Sequence, residues 1–172
     1  MGMDVYGIKP TSEEGEYFRR NVWGWHPLWE MCEDLFPAIA GQVECGHTND
    51  GDGLDADLSV DLGKGLTEAV ADGRVTAWIV SRSAQVAAMP MEPCLICDST
   101  GIRTDEIGLK GGWHDKALPP EDALILGREF GSCNACGGHG EKEPWLASYD
   151  VGTEDAVEFS GFLTACGGFE IC

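Results

Sequence analysis

The sequence predicts an α+β fold: a helical core, a short strand pair contributed by the two ends of the chain, and an inserted module of different composition. Three observations predict it. Apolar residues recur at helical spacing between Trp23 and Met89 and again after Thr153. Met3-Asp4-Val5-Tyr6-Gly7 and Phe169-Glu170-Ile171 alternate apolar and polar residues, as half-buried strands do. Residues 92–142 follow neither period, are rich in glycine and carry two Cys-x-x-Cys pairs. The expected organisation is 1–91 as the helical N-terminal part of the core, 92–142 as the insertion, and 143–172 as a C-terminal helix and strand that complete the core.

Taken in order, the first strand ends in a turn at Lys9-Pro10. Thr11-Ser12 is then expected to cap a helix start, with Glu13, Glu14 and Glu16 near its positive end. From Trp23 to Phe36, Trp25, Leu28, Trp29, Cys32, Leu35 and Phe36 share one helical face, and Pro27 is expected in the first turn. Gly41 ends this segment. His47 to Gly53 is a polar loop dense in turn formers. Leu58, Leu62, Leu66, Ala69 and Val70 recur at helical spacing from Asp55 onward, although Gly63 and Gly65 each weaken an isolated helix by about 1 kcal/mol. Asp72-Gly73 is a stop. A second helix over Val75–Met89 follows, expected to form a hairpin with the first, and Pro90 and Pro93 break it. Within the insertion only Pro120–Phe130 has helical periodicity. Thr153 is the expected N-cap of the last helix, with Ala156, Phe159, Leu163 and Cys166 on its buried face and Gly167-Gly168 as its stop. The strand after it is expected to pair with the first.

Charge narrows the function classes. With 30 acidic and 11 basic residues the formal charge is −19, and no Lys or Arg occurs between Arg20 and Lys64 or after Lys142. Such a surface repels phosphate, so direct nucleic-acid binding is disfavoured and a partner is expected to be a cation or a protein with a basic surface. The sequence has no apolar stretch of about 18 residues to span a bilayer. Its start lacks the charged-then-apolar form of a signal peptide. The expectation is a soluble protein in a reducing cytoplasm, where eight cysteines are more often metal ligands and buried thiols than disulfides.

The insertion contains Cys94-Leu-Ile-Cys97-Asp-Ser-Thr-Gly101 and Cys133-Asn-Ala-Cys136-Gly-Gly-His-Gly140. A Cys-x-x-Cys turn presents two sulfurs at little loop entropy, and two such turns supply the four thiolates that a structural zinc ion takes in a tetrahedron. Cys94, Cys97, Cys133 and Cys136 are therefore the expected ligands of one structural Zn2+. A four-thiolate shell leaves no place for His114 or His139. Disulfides within the pairs, or reduced thiols, are the alternatives. The two halves resemble the Cys-x-x-Cys-x-Gly-x-Gly units of the DnaJ-type cysteine-rich zinc domain. The second half matches throughout, whereas the first has Ser99 in place of a glycine. The resemblance covers about 47 residues and implies zinc held by these four cysteines. It implies no co-chaperone activity, because the His-Pro-Asp of a J-domain does not occur. Met1-Gly-Met-Asp-Val-Tyr-Gly7, Asn49-Asp-Gly-Asp-Gly-Leu54 and Gly167-Gly-Phe-Glu-Ile171 resemble an uncharacterised family of bacterial and bacteriophage proteins, which implies a bacterial or phage-infected cell and no particular activity.

A second candidate place is the acidic loop, with His47, Asn49, Asp50 and Asp52 as its polar groups. It fails the EF-hand pattern: counted from Asp50, position six is Asp55 rather than glycine and position twelve is Asp61 rather than glutamate. A looser cation site or a carboxylate pair working with His47 is the functional reading, and a turn leading into a helix is the structural one. Cys45-Gly-His47 as nucleophile and base lacks any marked orienting group. Cys32 and Cys166 fall on apolar helical faces and read as core. No Walker loop, dinucleotide fingerprint, serine elbow or zincin helix occurs. Three function classes follow. The first is a zinc-stabilised interaction protein without enzymatic activity. The second is an acidic nucleic-acid mimic that inhibits a host DNA-binding or defence protein. The third is a metal-assisted hydrolase using the His47–Asp57 loop.

Overall fold

The computed structural model describes residues 2–172. It is an α+β protein, helical over about half its length, and its contacts divide it into two compact units. One comprises the chain up to Ala87 together with Ser148–Cys172; the other is Ala88–Ala147.

The first unit is organised by a three-stranded antiparallel sheet of order β2-β1-β5, with β1 at Gly2–Gly7, β2 at Tyr17–Asn21 and β5 at Phe169–Ile171. Val5 lies opposite Phe18 on one side and Ile171 on the other. Met3, Val5, Phe18, Phe169 and Ile171 all point into the core, as a period of two requires. The expected pairing of the two chain ends is present. The expected helix at Thr11-Ser12 is only a single 3-10 turn, Glu13–Gly15. The chain then enters β2, whose Tyr17-Phe-Arg-Arg-Asn21 has one buried residue and so carries almost no periodic signal.

Asn21 ends β2 and caps α1 (Val22–Leu35), its side chain accepting from the Gly24 amide at 2.9 Å. Trp25, Leu28, Trp29, Met31 and Cys32 are buried. Pro27 stands in the helix interior rather than in the first turn, where it can supply no amide to the helix ladder. α2 (Pro37–Ala40) is one turn long and ends at Gly41. α3 (Ala56–Ala71) runs unbroken through Gly63 and Gly65, started by Asp55, whose carboxylate accepts from the Leu58 amide at 2.9 Å. α4 (Arg74–Ala87) buries only Val75, with Trp78 and Ile79 packed half-buried on the core. α7 (Thr153–Ala165) is capped one residue earlier than expected: Asp155 accepts from the Gly152 amide at 2.7 Å.

At the centre, the Trp25 and Trp29 rings lie near-parallel with centres 5.7 Å apart, and Phe159 meets Trp25 edge-on at 5.6 Å. Phe162, Phe169, Leu62, Leu66 and Leu163 complete this core. α3 and α7 make the main helix–helix contact of the unit. Among the described residues no helix is long and apolar enough to cross a membrane.

Candidate metal centre

The second unit is built differently. Its short strands β3 (Glu92–Pro93) and β4 (Glu141–Lys142) pair antiparallel and tie its ends together. Between them lie α5 (Glu106–Lys110), which the sequence reading did not anticipate, and α6 (Pro120–Leu126). α6 stops at Gly127 in the left-handed region, shorter than the expected Pro120–Phe130. Neither helix makes a core. Among the described residues, the buried apolar cluster of this unit consists of Cys94, Cys97, Cys133 and Cys136 alone.

Those four residues come together. The Cys94 and Cys133 sulfurs are 3.9 Å apart, Cys97 and Cys136 3.8 Å, and all four ligand atoms lie within 4.8 Å of one another. The edge of a tetrahedron with metal–sulfur bonds of about 2.3 Å is about 3.8 Å. The spacing is thus that of four thiolates around one ion and far longer than a disulfide bond.

The two knuckles repeat one geometry at an offset of 39 residues. Gly101 donates its amide to the Cys97 sulfur at 3.3 Å, and Gly140 donates to Cys136 at the same distance. Asp98, Ser99 and Gly101 adopt φ of 48°, 60° and 73°; their counterparts Gly137, Gly138 and Gly140 adopt 63°, 101° and 82°. The glycines also permit backbone-to-backbone packing of the two turns. A Cβ on Gly101 would lie 2.1 Å from the Gly138 carbonyl oxygen, and one on Gly140 would lie 2.3 Å from that of Ser99.

Two arginines brace the pair. Arg128 donates from Nη2 to the carbonyls of Gly101 at 3.2 Å and Gly138 at 2.6 Å, one from each knuckle. Arg103, almost fully buried, reaches Asn134 Oδ1 inside the second knuckle at 2.8 Å and is held by both oxygens of Asp105. Its positive charge interacts with the Cys94 and Cys133 sulfurs. A divalent ion with four thiolates would carry a net charge of −2, part of which Arg103 would offset.

The thiols are prepared unequally. Burial opposes ionisation of Cys94, but the Ile96 and Cys97 amides and the neighbouring thiols bring it down to about 7. Burial dominates at Cys97 and pushes it up to about 12, and Cys133 is raised for the same reason. Of these three thiols Cys94 is the one held closest to ionisation at neutral pH, and a bound cation would favour the thiolate form of all its ligands.

The acidic loop behaves otherwise. Its four singled-out residues do not converge. Asp52 accepts the amides of Cys45 at 2.9 Å and Gly53 at 2.8 Å, and the first of these leads in holding its carboxyl below the usual range. Asp50 accepts from the Thr48 hydroxyl, and Asn49 donates to the Gly2 carbonyl. His47 turns to α1 instead, meeting His26 at 2.8 Å and Glu33 at 3.1 Å. His26, Glu30 and Glu33 share one face of α1 (i, i+4, i+7), the only sequence signal that could have flagged the cluster. Cys32 and Cys166 are buried in the core, and burial raises both thiols.

Comparison with protein-family models, with curated proteins and with solved structures finds no match. The four-cysteine cluster is compatible with a zinc knuckle and can bind a metal ion.

Proposed function

We propose that this protein is a zinc-stabilised interaction protein without enzymatic activity, its 88–147 unit held by one structural zinc ion of the DnaJ-knuckle type. The observation that carries the reading is the set of four buried sulfurs at tetrahedral edge distance. An all-sulfur tetrahedron suits zinc or iron, and a shell closed by four protein ligands has no position for a substrate or an activated water. The metal then takes the part that a hydrophobic core plays elsewhere.

Interaction is supported by what this unit leaves outside. Leu95 at the tip of the first knuckle is 84% exposed, and Leu124 and Ile125 on α6 are 85% and 71% exposed. Glu121 and Asp122 stand beside them on the same helix. Exposed apolar side chains with acids beside them on α6 suit a protein partner with a basic surface, in line with the overall charge of −19. The setting we infer is the reducing cytoplasm of a bacterial or phage-infected cell, on the strength of the terminal and loop resemblances and of eight free thiols.

Native mass spectrometry of protein purified without added metal or chelator tests the reading. We expect one zinc per chain with every thiol reduced. Cys94→Ser and Cys133→Ser should each lose the ion and unfold the 88–147 unit while the Trp25–Trp29 core keeps its near-ultraviolet signal. Bound iron, an intrapair disulfide or unchanged zinc in these variants would overturn it.

A further inference from the structure

Besides the thiols, the described residues hold a second buried-edge cluster of titratable groups, formed by His26 and Glu33 on α1 with His47 in the loop. The two Nδ1 atoms are 2.8 Å apart, and His47 Nε2 lies 3.1 Å from Glu33 Oε2. The ring centres are 5.0 Å apart and the planes differ by 24°. That separation is close to the nitrogen–nitrogen distance plus the two ring radii, so the imidazoles meet edge to edge with their Nδ1 atoms head-on.

Distance and direction decide what lies between them. Two imidazoles sharing a tetrahedral zinc at about 2.0–2.1 Å would hold their nitrogens about 3.3 Å apart with lone pairs converging off the line between them. Here the nitrogens are closer and collinear, which fits a shared proton. A neutral imidazole has one N–H and one lone pair. Glu33 takes the Nε2–H of His47, so His47 Nδ1 is the acceptor and His26 Nδ1–H the donor. One added proton, on either ring, keeps a donor opposite an acceptor. A second places N–H against N–H and removes the contact.

We propose that His26 and His47 form a proton-operated latch fastening residues 45–49 to α1, closed while the pair carries at most one added proton and released by the second. Closure matters to the core because Gly46 sits between the histidines and the tryptophans. Its carbonyl accepts from Trp25 Nε1 at 2.8 Å, and a Cβ at Gly46 would lie 2.0 Å from Trp29 Nε1. Releasing His47 therefore loosens the loop over two buried indoles. Charged groups surround the pair: in the loop, Asp52 accepts from the Cys45 amide and Asp50 from the Thr48 hydroxyl. Glu30 and Glu33 on α1 favour protonation, and Arg82 of α4 offsets Glu30 at 3.2 Å while also donating to the Tyr149 carbonyl. The Tyr149 ring meets His26 edge-on. Burial chiefly, then His47, lowers the proton affinity of His26, and Glu30 opposes them. A lowered histidine favours the closed state above the ordinary imidazole value of about 6.5 and costs stability as the pH falls below it. Acid is therefore the opening signal.

The test is a titration of the metal-loaded protein from about pH 8 to pH 5, the range in which histidine changes charge, followed by NMR of the imidazole nitrogens, the Trp25 indole N–H and the amides of residues 45–49. We expect these signals to move in one shared transition. In His26→Asn the amide nitrogen takes the place of Nδ1 and still donates to His47 Nδ1 but cannot take a proton, so the Trp25 and loop transition should vanish while far-ultraviolet circular dichroism stays native. If that transition persists in His26→Asn, or if the two imidazoles titrate in the wild type while the indole and loop signals stay still, the latch is wrong. A shift of both imidazoles on adding one further equivalent of Zn2+ would likewise replace the proton by a metal ion.

Discussion

Ser99 occupies a place where its counterpart in the second knuckle is Gly138, and it accepts the left-handed backbone that the turn demands, at φ 60°. The departure from the repeated Gly pattern therefore keeps a positive φ, although Gly138 opens further, to 101°. Side chains in this region cost about 1–2 kcal/mol, against about 0.5–1 kcal/mol of unfolded-chain entropy that glycine brings. Ser99→Gly should therefore stabilise the metal-loaded 88–147 unit by about 0.5–1 kcal/mol, read as a higher denaturant midpoint for that unit. A lower midpoint would mean that the Ser99 side chain contributes more than the strain it bears. At the same scale, Asp50, Asp52 and Asn49 show why a run of acids is a poor guide to a cation site. Each has a hydrogen-bonding duty within the first unit, to Thr48, to the Cys45 and Gly53 amides, and to the Gly2 carbonyl.

Among the elements, α3 is where local propensity and tertiary packing pull in opposite directions. Alanine in place of Gly63 would add about 1 kcal/mol of helix propensity in an isolated helix. In the folded protein its Cβ would lie 2.9 Å from Thr164 Cγ2 and 3.0 Å from both the Leu163 Cβ and the Ser160 carbonyl oxygen, all on α7. Overpacking a contact that includes backbone costs about 1–3 kcal/mol. We expect Gly63→Ala to lower the melting temperature of the first unit despite the better propensity; a rise would show that α7 can shift away at no cost. The same logic explains β2. Tyr17-Phe-Arg-Arg-Asn21 forms a strand because β1 offers it a ladder and Phe18 a place in the core, both supplied from elsewhere in the chain. The start of α5 is likewise tied to residues outside it: Asp105 caps it by accepting from the Gly108 amide at 2.7 Å while also holding Arg103.

For the molecule as a whole, the contrast lies in how the two units are stabilised. The first unit buries two stacked tryptophans and four phenylalanines in one core with α1, α3 and α7. The second has only its cysteines buried as an apolar cluster. Binding free energy of a structural zinc, about 10–16 kcal/mol in small zinc modules at neutral pH, would then be most of the folding free energy of residues 88–147. A strong chelator should abolish the amide-exchange protection of this unit and leave that of α1, α3 and α7 unchanged, followed by hydrogen-exchange mass spectrometry. Protection in 88–147 that survives complete metal removal would show that the glycine-rich backbone holds itself.

The features legible in the chain alone were those written in local pattern: the period of α1, α3, α4 and α7, the alternation of β1 and β5, the glycine stops, and two Cys-x-x-Cys turns whose spacing within each pair is a matter of three covalently linked residues. Local pattern is readable because helix and strand periods act over a few neighbours. Only the tertiary structure decided that Arg128 ties the Gly101 and Gly138 carbonyls of the two knuckles together while Arg103 reaches Asn134, that α6 ends at Gly127, and that Pro27 lies inside α1. It also decided that His47 faces His26 and Glu33 rather than the acids beside it in sequence. These are encounters between segments with no shared period, set by which surfaces the core leaves adjacent. A single chain records such encounters only through the residues that happen to tolerate them.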